Sequence, residues 1–131
     1  MYIEINEVVC AMTPNFDNET YYFDTETYEI KSDIDGERLE EPYRYIEIPK
    51  TDYRSIRKEF LIKNNIVNKS RLDEYANDGD KFHILINNEG IYIYNEYIDH
   101  ERNAERRYAS EWCAENGIKY TLKEGKTNEG N

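Results

Sequence analysis

Cysteine, histidine and tryptophan are scarce in this chain, and several functions need them. Cys10 and Cys113 stand far apart with no CxxC pair, which removes a disulfide framework and the zinc ribbons. Both fall in apolar patterns and are expected to be buried free thiols. His83 and His100 are the only histidines, too few for the usual zinc signatures, so no metal is expected. The chain has no GxGxxG and no GxxxxGK[ST], so nucleotide cofactors have no support. It also has no GxSxG elbow and no protease-like cysteine context. The expectation is a protein that is not an enzyme and carries no cofactor. No apolar run approaches the roughly 20 residues that cross a bilayer. The chain opens without a basic-then-apolar signal segment. A cytoplasmic protein with no membrane partner is expected.

What the chain has is tyrosine and charge. Tyrosines number 13 against 4 phenylalanines and 1 tryptophan, and charged residues make up 34%. So much aromatic surface argues for a folded core, with tyrosine hydroxyls reaching partners or water. The 131 residues suit one domain, expected as an α+β body over 1–120 with a polar tail over 121–131. The net charge of −11 is unevenly spread: residues 1–41 carry −10, residues 42–70 carry +4 and residues 71–131 carry −5. Such a surface repels phosphate, so direct nucleic-acid binding is disfavoured.

Hydrophobic spacing organises the chain. Ile5, Val8, Val9 and Met12 follow helical spacing behind a Tyr2-Ile3 lead-in, and Pro14 ends that segment. YYFDTETYEI carries two short aromatic and β-branched runs around a bend at Asp24 to Thr27, and YRYIEIP carries a third. Together they predict a small antiparallel sheet of two or three strands, packed with three or four helices. Thr51 or Asp52 is placed to cap a helix in which Ile56, Phe60 and Leu61 share a face, ending near Asn64 and Asn65. A short helix is expected from about Ser70 to Ala76, while FHILI suits a strand or a helical turn equally. A long C-terminal helix follows, with Ile91, Tyr94, Ile98, Glu101, Glu105, Tyr108 and Trp112 as its stripe and Gly117 as its cap.

The order of these motifs resembles uncharacterised protein family 0158. YYFDTET, YIEIP, the helix YRSIRKEFLI, the Gly-Asp-Lys-Phe step and the terminal EWCAENGI carry the likeness, over roughly residues 5–118. These are mostly packing motifs, and the family brings no agreed activity. Where the family has a basic Phe-Arg-x-Phe-Lys segment, this chain has KFHILINN, keeping Phe82 and losing most of the charge.

The densest charge lies in DTETYEIKSDIDGERLEE. Asp24, Glu26, Glu29, Asp33, Asp35, Glu37, Glu40 and Glu41 stand against only Lys31 and Arg38. Strand alternation lets Glu29, Asp33 and Asp35 share one side, with Tyr28 and Ile30 divided between faces. A charged, solvated edge that prevents strand addition explains such a run without any partner. Spaced carboxylates with interleaved tyrosine also imitate a phosphate backbone and its bases. The expected function is therefore a non-catalytic, acidic protein-binding module. It would inhibit or regulate a basic nucleic-acid-binding protein or nucleoprotein complex by occupying its nucleic-acid surface, in the manner of anti-CRISPR proteins that phages direct at bacterial defence. The expected contact residues are those eight acids with Tyr28 as anchor. One alternative is a regulatory domain contacting RNA or nucleoprotein through the basic 50–69 face, with Arg54, Arg57 and Lys58 at its centre. Another is a small hydrolase using His83 or His100 with a carboxylate.

Overall fold

The computed structural model describes residues 1–14, 19–32 and 43–122. The chain has an α+β fold, with a small antiparallel sheet, a two-stranded parallel pairing and a long C-terminal helix. It divides into two compact units, one formed by 1–51 with 105–131 and the other by 52–104. Among the described residues, no helix is long and apolar enough to cross a membrane.

In the first unit, strand β1 (Ile3–Glu4) leads directly into helix α1 (Ile5–Met12). Ile5, Val8, Ala11 and Met12 form its buried stripe, at the spacing of one helix face. The carbonyl end of α1 is satisfied from the following segment. Lys50 Nζ donates to the Ala11 carbonyl at 3.1 Å and the Thr51 amide donates to Met12 at 2.7 Å. A lysine at that end also complements the helix dipole.

Strands β2 (Tyr21–Asp24), β3 (Glu29–Ser32) and β4 (Tyr45–Ile48) make the antiparallel sheet, in the order β3-β2-β4. Phe23 aligns with Ile30 on one side and Ile46 on the other, so this row faces the core. The next rows, Lys31-Tyr22-Glu47 and Glu29-Asp24-Tyr45, belong to the opposite face. Tyr28 and Ile30 both pack on the core, which corrects the expectation that they divide between faces. They are two residues apart, and a period of two puts them on one side.

Strand β5 (Tyr120–Thr121) pairs with β1 in parallel, Ile3 aligned with Tyr120. It follows the end of helix α5 (Ile91–Glu115), where Gly117 adopts φ 67 and the Ile118 amide donates to the Cys113 carbonyl at 2.8 Å. Left-handed backbone at that position is what a glycine cap supplies. Trp112, Cys113 and Ala109 bring α5 into the core of this unit. Burial pushes the Cys113 thiol up to about 11. Cys10, by contrast, is exposed, which corrects the expectation of two buried thiols. It lies in α1 beside the stripe of Val8 and Ala11 rather than within it.

The second unit is helical. Helix α2 (Tyr53–Asn64) starts at Asp52, whose carboxylate accepts from the Ser55 amide, and stops at Asn65 in the left-handed region. A 3-10 turn (Lys69–Arg71) leads into α3 (Leu72–Asn77), and α4 (Gly79–Glu89) follows, capped by the Asp78 carboxylate. FHILI is therefore helical, with Phe82 and Ile86 buried one turn apart.

The centre of this unit is Tyr97 of α5, fully buried between Phe60 and Phe82, with ring centroids at 5.1 and 4.6 Å. The buried line of α5 runs through Tyr97, Ala104, Ala109 and Trp112. The expected stripe is thus corrected at its start, because Ile91 is exposed and Tyr97 takes the core position. Glu101 interrupts the apolar stripe for a reason: its carboxylate accepts the Tyr97 hydroxyl at 2.7 Å. Burial, with that carboxylate alongside, raises the Tyr97 pKa and keeps the phenol protonated. Phe82→Ala should cost about 3–4 kcal/mol, as a buried ring is lost and Tyr97 is left facing a void. A drop in the urea midpoint at unchanged slope checks this.

Candidate functional site

The acidic hairpin is organised by a carboxylate that it hides. Asp24 has no exposed surface, although it sits on the sheet face away from the core. Arg44 binds it in a fork, Nε to Oδ1 and Nη2 to Oδ2, both at 3.1 Å. Lys31 Nζ lies 2.9 Å from Oδ2, and both cations approach the Tyr45 ring. The amides of Glu26 and Thr27 donate to Oδ1, closing the turn. Burial alone would favour the protonated acid. The bonds from Arg44, Lys31 and the two amides outweigh it and hold the carboxyl well below the usual carboxylate range.

That turn places Tyr28 at φ 62, a left-handed conformation that costs a bulky residue about 1–2 kcal/mol. Three contacts hold it there. Its amide donates to the Asp24 carbonyl at 2.7 Å, its ring meets Phe23 edge-on at 4.9 Å, and its hydroxyl accepts the Lys119 amide at 3.0 Å. The expected anchor is therefore half-buried and engaged within the chain.

The remaining acids differ in availability. Glu26 is 64% exposed and pairs with Arg44 Nη1 at 3.1 Å. Glu29 is exposed and, among the described residues, has no ion pair. Asp33, Asp35, Glu37, Glu40 and Glu41 lie outside the described residues. Sequence reasoning missed Glu47, exposed on the outward face of β4, and Glu7 on α1. Glu29 and Tyr28 also belong to the wall of a groove of about 690 Å³ that runs along α1, where Glu4, Glu7 and Cys10 line it. The clue was present as helical spacing, since residues 7 and 10 share a side of α1.

Three cations of the basic segment are engaged with α3. Arg54 Nη2 and Lys58 Nζ both reach Asp73 of α3, at 2.8 and 3.2 Å, and Arg54 Nε also donates to Asn77. Arg57 Nε donates to the Ala76 carbonyl at 2.8 Å, covering the end of α3. The histidines stand apart in role. His83 is exposed on α4, while His100 Nε2 lies 3.1 Å from the Ile56 carbonyl. Among the described residues, no three His, Cys, Asp or Glu side chains are arranged to hold a metal.

Comparison with family models, curated proteins and solved structures finds no match to this chain.

Two outcomes are expected here. Asp24→Asn should cost about 2–4 kcal/mol at pH 7, since it strands Arg44 and Lys31, which are themselves part-exposed. Because folding lowers the Asp24 pKa from its ordinary 3.8, its contribution is complete above about pH 4 and is lost as pH falls further. Thermal melts from pH 7 to 2 should therefore fall less steeply for Asp24→Asn than for the parent. Arg57→Met should cost about 1–2 kcal/mol by leaving the end of α3 uncovered, read by chemical denaturation.

Proposed function

We propose that this protein is a non-catalytic, acidic binding module whose partner is a basic nucleic-acid-binding protein. It would block or regulate that partner by occupying the surface that takes nucleic acid. One observation carries this reading: Glu7, Glu29 and Glu47 of the first unit are exposed and form no ion pair among the described residues. Unneutralised carboxylates project a field that attracts a cationic surface and speeds encounter. The −10 net charge of residues 1–41 extends that field. Small size, strong acidity and abundant tyrosine fit an anti-CRISPR-like phage inhibitor of bacterial defence, by composition.

The basic face is the weaker alternative. Arg54 and Lys58 are turned to Asp73 and Arg57 to Ala76, so an RNA contact there would compete with the packing of α2 on α3.

The test is affinity capture from host lysate at low and high salt, with and without added duplex DNA or RNA. The expected prey is a nucleic-acid-binding protein released by salt and displaced by nucleic acid. A second protein neutralises Glu26, Glu29, Asp33, Asp35, Glu37, Glu40, Glu41 and Glu47 to Gln or Asn. It should bind at least about tenfold more weakly with a shallower salt dependence. Its melting temperature should stay nearly unchanged. Capture that ignores both salt and nucleic acid would sink the proposal, and the acidic run would then be a solvated edge.

A further inference from the structure

We propose that Asn116 and Gly117 form a self-modifying site, at which the chain converts its own asparagine to aspartate and isoaspartate when β5 leaves β1. This inference is independent of the proposed partner.

Asn116 is the only asparagine of the chain that precedes a glycine. The pair is chemically distinct, because glycine has no Cβ to hinder approach to its own nitrogen. Hydroxide takes the proton from the Gly117 nitrogen, which attacks the Asn116 carboxamide carbon. Ammonia leaves as the new C–N bond closes a succinimide ring. Water then opens that ring at either carbonyl, giving aspartate or isoaspartate. One water is consumed, one ammonia is released and no electron is transferred. Both residues are exposed, so water and hydroxide reach them.

The fold holds the two reacting groups apart. Asn116 Nδ2 donates to the Trp112 carbonyl at 2.8 Å, one turn back along α5, which draws the carboxamide away from the next residue. The Gly117 amide donates to the Ala114 carbonyl at 3.3 Å. Freeing both groups requires the cap of α5 to unwind. That cap is fastened from beyond its end. Ile118 is buried and its amide holds the Cys113 carbonyl at 2.8 Å. The Lys119 amide donates to the Tyr28 hydroxyl at 3.0 Å, and its carbonyl accepts the Ile3 amide at 3.0 Å. β5 is only two residues long, and short terminal pairings open at far lower free energy than a core. Release of β5 is therefore the step that admits the reaction.

The conversion does not run back. Aspartate at this position loses the Nδ2 donor and sets carboxylate oxygens against the Trp112 carbonyl. It does so at the negative end of a 25-residue helix, where an anion is unfavourable. Isoaspartate routes the main chain through its own methylene, which lengthens the link to Ile118 and displaces it from its seat. Either product disfavours redocking, so the site marks molecules whose terminal strand has come loose.

The full chain is held in mildly alkaline buffer at physiological temperature. Conversion at each asparagine is followed by peptide mapping with mass spectrometry, with isoaspartate separated chromatographically. A blocked peptide of residues 112–120 supplies the rate without the fold. Asn116 should convert in the peptide at least about tenfold faster than in the parent chain. Tyr28→Phe removes the hydroxyl that holds Lys119 and keeps the ring on Phe23. It should raise the Asn116 rate at least about threefold, in step with hydrogen exchange at the Ile118 and Lys119 amides. If that variant fails to fold, by circular dichroism, urea below the unfolding transition of the parent replaces it and should raise both rates together. Asn116→Asp should exchange those two amides faster than the parent while the amides of the β3-β2-β4 sheet stay protected. Equal rates in parent and peptide would overturn the inference. So would an Asn116 rate that stays at the parent value in folded Tyr28→Phe, or under urea that speeds exchange of the two amides. Parent-like exchange in Asn116→Asp would overturn the irreversible mark.

Discussion

Asp24 is the residue on which the first unit depends. It stands at the end of the central strand and draws Arg44 from beside β4 and Lys31 from β3 onto one carboxylate. A buried ion pair is no guarantee of net stability, since desolvation opposes it. Its larger effect is on geometry. The same oxygen that takes Arg44 Nε also takes the Glu26 and Thr27 amides, which sets the turn and drives Tyr28 into left-handed backbone. Tyr28 then fastens the segment before β5 through Lys119. One anion thus ties β2, β3, Arg44 and the turn together, and Tyr28 links that turn to the segment before β5.

This arrangement also divides the acids of the first unit into two kinds of carboxylate. Asp24 is consumed by the fold, and Glu26 shares its cation. Glu29, Glu47 and Glu7 keep their charge for solvent or for a partner. A count of acids along the chain treats them alike, yet their electrostatic reach differs, because a neutralised charge projects little field. The same division applies to the cations of α2, where Arg54, Arg57 and Lys58 serve α3. Charge density in the sequence overstates what either surface offers.

Much of the fold was legible because periodicity and caps act locally. Ile56, Phe60 and Leu61 mark the buried face of α2, Asp52 and Asn65 its ends, and Gly117 the cap of α5. YYFD and YIEI marked strands by their β-branched and aromatic content. What escaped depends on partners distant in sequence. β5 is two residues long and exists through pairing with β1. Tyr97 was hidden in a helix crowded with tyrosines, where only packing against Phe60 and Phe82 selects one of them. Tyr28 carries no glycine or asparagine signal for its left-handed turn. Of the candidate site, the exposed acids were legible as composition. The groove was not, since α1 and β3 meet there only in three dimensions.

The pairing of β1 with β5 has a kinetic consequence. The first unit is assembled from both ends of the chain, with 52–104 inserted between its halves. Closing a loop of that length costs about 3.5 kcal/mol beyond a constant, which only contacts formed late can repay. Within the inserted segment α2 packs on α3 and α3 on α4, each its neighbour in the chain, and such local contacts form fast. During synthesis the helical unit can therefore fold as it emerges. The pairing of β1 with β5 must wait for Ile118 and Tyr120, so it joins the first unit after the β3-β2-β4 sheet and the helical unit have emerged.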